Sequence, residues 1–366
     1  MVEAEEVGEA PAREPMRTRV AAWPRGPAFL LLAALLMIAG YGLWLESRPV
    51  PTLRAEGAAR SDPALYRAIA ARVTGGEGYY RAAVAEHRAR AYPLRPFVAI
   101  RLPTLALVTA AVGGTKAVGP IFVLLAWLTL GVTVLRLRRL GLPAPVWIAA
   151  SVLAACSVAL IAQPDFAVWH EAWAGLLIAL SLACRGERRW GASVVPGLVA
   201  VLMRELALPY LVAMMFAAAI ERRKSEVLGW GLALLVALGA LALHAGQVTA
   251  LVHPDDLASP GWSHMAGWRF DLAVVRDSSP LALLPALVSA LAVPAALFGW
   301  AACPGAYPRR VALTLAGWLI PFLLIGRLDN SYWGLLMAPL ALAGLAFAVP
   351  ASIDLVRAAF PAGRAR

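Results

Sequence analysis

Apolar residues run along this chain in long, nearly charge-free blocks, and short polar or basic segments separate them. The first block is 27–45, PAFLLLAALLMIAGYGLWL. Further blocks cover 118–136, 144–162 and 169–184, then a short pair at 191–203 and 206–220. Blocks at 226–245, 281–302, 311–326 and 332–349 complete the series. A bilayer span needs about 20 apolar residues, so the pattern predicts about ten transmembrane helices. The short pair is thin for full spans. It reads equally as a hairpin that turns at Met203-Arg204-Glu205, inside protein or beside a wet cavity.

Composition agrees. Hydrophobic residues make up 61% of the 366, charged residues 15%, and mean hydropathy is +0.70. Soluble domains are nearer about 45–50% apolar and 25% charged, so the fold class is an all-α polytopic membrane protein. The formal net charge is +11. Topology accounts for that charge without a nucleic acid partner. Arg13, Arg17, Arg19 and Arg25 precede the first span. Basic clusters follow at Arg136, Arg138 and Arg139, at Arg185, Arg188 and Arg189, and at Arg222, Arg223 and Lys224. The last are Arg309 with Arg310, and Arg357, Arg364 and Arg366. With alternating spans every cluster falls on one side, which the positive-inside rule assigns to the cytoplasm. The expected layout is a cytoplasmic tail 1–26, a transmembrane domain 27–349 and a cytoplasmic tail 350–366. A cleaved leader is disfavoured by the long basic segment ahead of the first run. Cys156, Cys184 and Cys303 sit in or beside apolar runs, without metal-ligand or disulfide spacing.

The outer face then holds 46–117 and 246–280, with short links at 163–169 and 327–331. Residues 62–74 read as an amphipathic helix capped by Ser61 or Asp62, with Pro63 in its first turn and Gly75-Gly76 at its end. Leu65, Ile69 and Val73 share one face, which predicts a helix lying along the membrane surface. Segment 98–113, VAIRLPTLALVTAAVG, reads as a second surface or half-inserted helix. In loop 246–280, His253, Asp255, Asp256, Trp262, His264, Trp268 and Arg269 form no known motif. GGEGYY is no dinucleotide fingerprint, because no strand precedes it and the spacing differs.

The order of Asp62-x-x-x-Tyr66, the Gly75–Tyr80 step and Arg101-Leu-Pro-Thr-Leu resembles the GT-C superfamily of membrane glycosyltransferases. Glu171 in WHEAWAG and the LMREL turn extend the likeness. It is nearest to bacterial cell-surface glycopolymer-formation and mannosyltransferase-like proteins. The resemblance implies a bundle of about ten transmembrane helices, with amphipathic helices in the first periplasmic loop. It implies a polyprenyl-phosphate-linked sugar donor, an envelope glycan or lipid acceptor, and contact with membrane lipids in a bacterial inner membrane. Asp62 is then the general base, and Glu171 a second acid of the same cavity.

Arg101, Arg204 and Arg327 suit phosphate, because a guanidinium fork binds it bidentately. The Arg204-Glu205 pair, ionisable and intramembrane, marks a site by default; its bland role is to neutralise buried polar groups at a turn. Asp165 and His170 accompany Glu171, and Tyr66 and Tyr80 accompany Asp62. Arg327, Asn330, Tyr332 and Trp333 form either an interfacial anchor or a sugar and phosphate site. No metal is expected to be obligatory; a divalent cation is the alternative. The rival functions are a lipid-linked sugar transporter or flippase, and a non-catalytic subunit of polysaccharide assembly.

Overall fold

A computed structural model describes residues 16–49, 61–263 and 265–361. Arg13, His264, Arg364 and Arg366 lie outside the described residues. Among the described residues fourteen α-helices follow one another: α1 (Arg25–Glu46), α2 (Asp62–Thr74), α3 (Tyr79–Ala89), α4 (Thr104–Ala111), α5 (Thr115–Arg138), α6 (Ala144–Ile161) and α7 (His170–Cys184). Then come α8 (Gly191–Met203), α9 (Leu208–Ile220), α10 (Lys224–Thr249), α11 (Gly267–Asp277), α12 (Ala286–Ala302), α13 (Ala306–Phe322) and α14 (Leu345–Ala359). Among the described residues no strand forms; an isolated bridge joins Arg95 to Ala258.

Among the described residues, five helical segments are long and apolar enough to cross a membrane: α1, α5, α6, α10 and Ala341–Ala359. Their outward faces carry large apolar side chains. Leu30, Leu36 and Met37 stand out from α1, Leu124 and Trp127 from α5, and Leu228, Leu232 and Leu235 from α10. A contiguous apolar face of this size is one that lipid covers. The other apolar helices are shorter. Helix α7 is buried on nearly every side, from His170 through Ala183, as expected of a helix apolar all round. It packs on α5, α8 and the 3-10 segment Leu328–Leu336.

Two expectations change. The anticipated span 332–349 is 3-10 turns over Leu328–Leu336 and Ala341–Gly344, and the helix proper runs later, from Leu345 to Ala359. Gly175 shows one reason. A Cβ there would lie 2.2 Å from the Leu335 carbonyl oxygen, so α7 touches the backbone of this segment directly. The other change concerns α2, whose apolar face packs on protein. Leu65, Ile69 and Val73 meet Tyr79, Ala83, Leu94, Ile100 and Ala106 in a small core of their own. The helix boundaries are as read, although Ser61 makes no side-chain cap bond. Arg72 locks α2 to α3 through Glu77 (2.6 Å) and Glu86 (3.1 Å).

The basic clusters gather at one end of the bundle. Arg136 lies over the Tyr307 ring, Arg185 and Arg310 both reach Glu221, and Arg19 caps the Ala301 and Gly305 carbonyls.

Candidate functional site

At the opposite end the chain encloses a cleft of about 980 Å³. Its wall comes from α2, the turn after α3, Val98–Arg101, Trp169, the α8–α9 junction, Ser259–Trp262 and Ile325–Trp333. Asp62, Tyr66, Arg101, Arg204, Glu205, Arg327, Asn330, Tyr332 and Trp333 all line it. These residues come from four stretches of sequence far apart along the chain.

Arg101 is central to one side. Its Nε donates to the Tyr66 hydroxyl at 2.9 Å, and Nη2 to the Tyr332 hydroxyl at 3.4 Å. Burial works against its charge, but Tyr66, Tyr332, Glu171 and Asp62 around it outweigh that and hold the guanidinium firmly protonated. Burial likewise keeps the Tyr66 phenol well above its usual range. The Tyr66 ring stands edge-on to His170, centroids 4.7 Å apart.

Arg204 ends α8 in extended backbone. Its Nε donates to Glu171 Oε1 at 2.6 Å, and its Nη1 pairs with Glu205. The Trp318 indole donates to the Leu206 carbonyl at 2.7 Å and holds the turn. A break in the helix at this depth is tolerated because it borders a polar cleft.

The third contributor is Arg327–Trp333. Arg327 pairs with Asp329, Nε to Oδ1 at 3.0 Å. Trp169 and Tyr332 lie 5.0 Å apart by centroid. Asn330 Oδ1 and Trp333 Nε1, both buried, have no hydrogen-bond partner among the described residues. Backbone bonds from Gly326 to the Trp262 carbonyl (2.8 Å) and from Gly267 to the Leu323 carbonyl (2.9 Å) bring Trp262 beside this segment. Gly326 has φ +118°, and a Cβ there would strike the Phe270 ring at 2.3 Å, so only glycine fits.

Three acids lie on the wall. Glu205 is paired with Arg204 and Asp329 with Arg327. Asp62 has no ion pair among the described residues. It sits in the first turn of α2, where the helix dipole favours its negative charge.

Several expected members stand elsewhere. Glu171 is off the wall: it is fully buried, and its carboxylate holds Arg204. Its link to the cleft wall is through that arginine. His170 is buried beside it. Asp165 is 93% exposed and faces Arg67 at 3.6 Å on the surface. Tyr80 lies outside the cleft, its hydroxyl 3.3 Å from His244 Nδ1.

In loop 246–280, Trp262 reaches the cleft, whereas Asp256 ties the loop to α3 through Arg88 at 2.7 Å. That bond, with one from the His253 backbone, holds the Asp256 carboxyl well below the usual carboxylate range. His87, Arg90, Tyr92, Trp169 and Ser259 also line the cleft and were not singled out by sequence. The signal available for Arg90 and Tyr92 was their place in a loop already rich in tyrosine. Among the described residues, no group of three or more His, Cys, Asp or Glu side chains stands close enough to hold a metal.

No family model, curated protein or solved structure matches the chain.

Proposed function

We propose that the protein is a GT-C-like glycosyltransferase that moves a sugar from a polyprenyl-phosphate donor to an envelope glycan or lipid acceptor. The observation that carries the reading is the cleft, where one acid without an ion pair, Asp62, shares a wall with Arg101, Arg204 and Arg327. Glycosyl transfer from a lipid phosphate needs both parts. A base takes the acceptor proton, and cations hold the phosphate as charge develops on it.

In the proposed step the acceptor hydroxyl gives its proton to the Asp62 carboxylate. Its oxygen bonds to the anomeric carbon as the bond from that carbon to the phosphate oxygen breaks. The polyprenyl phosphate leaves with the electron pair, held by guanidinium groups. Aromatic faces at Tyr332 and Trp333, beside Asn330, suit a sugar ring and its hydroxyls. The wider reading places about ten spans in a bacterial inner membrane, with both termini cytoplasmic and the cleft facing the periplasm.

The test is surface glycopolymer in a deletion strain complemented with wild type or Asp62→Asn at matched membrane abundance. Loss of polymer with accumulation of the polyprenyl-linked sugar supports Asp62 as the base. Full rescue by Asp62→Asn removes the mechanism and leaves the transporter and assembly-subunit readings.

A further inference from the structure

The bundle end opposite the cleft contains a second polar recess of about 480 Å³, lined by Arg19, Arg185, Glu187, Glu221, Arg223 and Arg309 with Gly305 and Ala306. Helix α7 separates the two sites. His170 begins it beside the first, Arg185 follows it at the second, and 15 helical residues rise roughly 22 Å.

We propose that this recess binds a phosphate group. Four arginines face two glutamates across it, so its own wall leaves positive charge uncompensated. The arginines are also anchored. Arg185 is 1% exposed and held by Glu226 at 2.9 Å and Glu221 at 3.1 Å. Arg310 backs the same two acids at 2.7 and 3.2 Å. Arg19 is fixed by the Gly305 carbonyl at 2.7 Å, and Arg223 by Glu226 at 3.0 Å. A guanidinium whose position is already set loses little entropy on taking an anion.

Two donors there have no partner among the described residues: Arg185 Nη1 and Arg309 Nε, both buried from solvent. An orphaned buried N–H is costly, and a phosphate oxygen is the acceptor that removes this cost with the best charge match. Glu221 is engaged by Arg185, Arg309 and Arg310 and acts as scaffold, while Glu187 accepts from Arg223 through its backbone carbonyl. The phosphate can come from an anionic lipid headgroup at this face of the membrane or from solution. The inference does not depend on the chemistry at the other end.

The full-length protein in detergent is titrated with inorganic phosphate at constant ionic strength set by chloride, and separately with short-chain phosphatidic acid. Melting temperature and adduct formation in native mass spectrometry are followed. The recess predicts saturable stabilisation and one adduct per chain. In Arg223→Gln/Arg309→Gln, which leaves the pairs of Arg185 and Arg310 with Glu226 and Glu221 in place, the half-saturating concentration rises about tenfold or more. Saturation by phosphatidic acid alone identifies a headgroup; saturation by inorganic phosphate alone identifies a soluble source. Absence of saturable binding by either probe in the wild type overturns the proposal, as does an unchanged midpoint in a double variant that melts normally.

Discussion

Arg204 Nε lies 2.6 Å from Glu171 Oε1, and both side chains are almost completely buried. The pair bridges the broken α8–α9 junction and the start of α7, so one bond sets the position of a cleft arginine. Removing Glu171 leaves the buried Arg204 with Glu205 alone as its partner, and breaking a buried pair from one side costs up to about 3–5 kcal/mol. Glu171→Ala is therefore expected to lower the melting temperature strongly in detergent. The paired change Glu171→Leu/Arg204→Met is expected to recover most of that loss while leaving glycopolymer absent. Stability and activity measured on all three proteins separate a structural from a functional role for Arg204.

Asp62 and Arg101 should fail in different ways. Asp62→Asn keeps shape but removes the proposed base, so on that proposal kcat falls by about 100-fold or more while donor KM changes little. Arg101→Lys keeps the charge but loses the fork that reaches Tyr66 and Tyr332. It is expected to raise donor KM about tenfold. Kinetics of polyprenyl-phosphate-sugar turnover by the purified protein distinguishes them; identical defects would argue against the assigned roles.

His87 on α3 gives a pH prediction. Burial pushes it down to about 4 from an ordinary value of 6.5, although its bond to the Pro93 carbonyl works the other way. Between these values the unfolded chain binds the proton and the folded one does not. Stability therefore rises with pH through this window and is lost as pH falls from 6.5 toward 4, by at most about 3 kcal/mol. Melting curves at steps across the window should show the loss, and His87→Gln should flatten this part of the profile.

Gly175 gives a packing prediction. A Cβ there would sit 2.2 Å from the Leu335 oxygen, which belongs to backbone and cannot swing away. Gly175→Ala is expected to separate α7 from Leu328–Leu336 and destabilise by about 2 kcal/mol or more. Glycopolymer should fall too, because both segments serve the cleft. Gly231→Ala, where the nearest atom is a flexible Met215 sulfur at 3.9 Å, is the matched control.

Much was legible without coordinates. The apolar blocks located most of the helices, because a lipid-facing or core helix must be apolar over its whole length. The 62–74 helix showed itself through Pro63, the four-residue spacing of Leu65, Ile69 and Val73, and Gly75. Arg204 and Glu205 stood out as charges inside an apolar stretch. The expected span 332–349 instead opens in 3-10 turns, in contact with α7 over Leu328–Leu336, and becomes α-helix only at Leu345–Ala359. Hydropathy cannot report that contact.

By itself the sequence determined the helical class, the grouping of basic clusters on one side, and a short set of chemically suitable residues. It did so because burial in lipid or core acts residue by residue. Tertiary structure decided which of those residues meet. It paired Glu171 with Arg204 beneath the floor, left Asp165 on the surface, turned Tyr80 toward His244, and set Asp62 on one wall with Arg101 and Arg327. Those outcomes depend on contacts between segments far apart in the chain, and no local pattern encodes their distances.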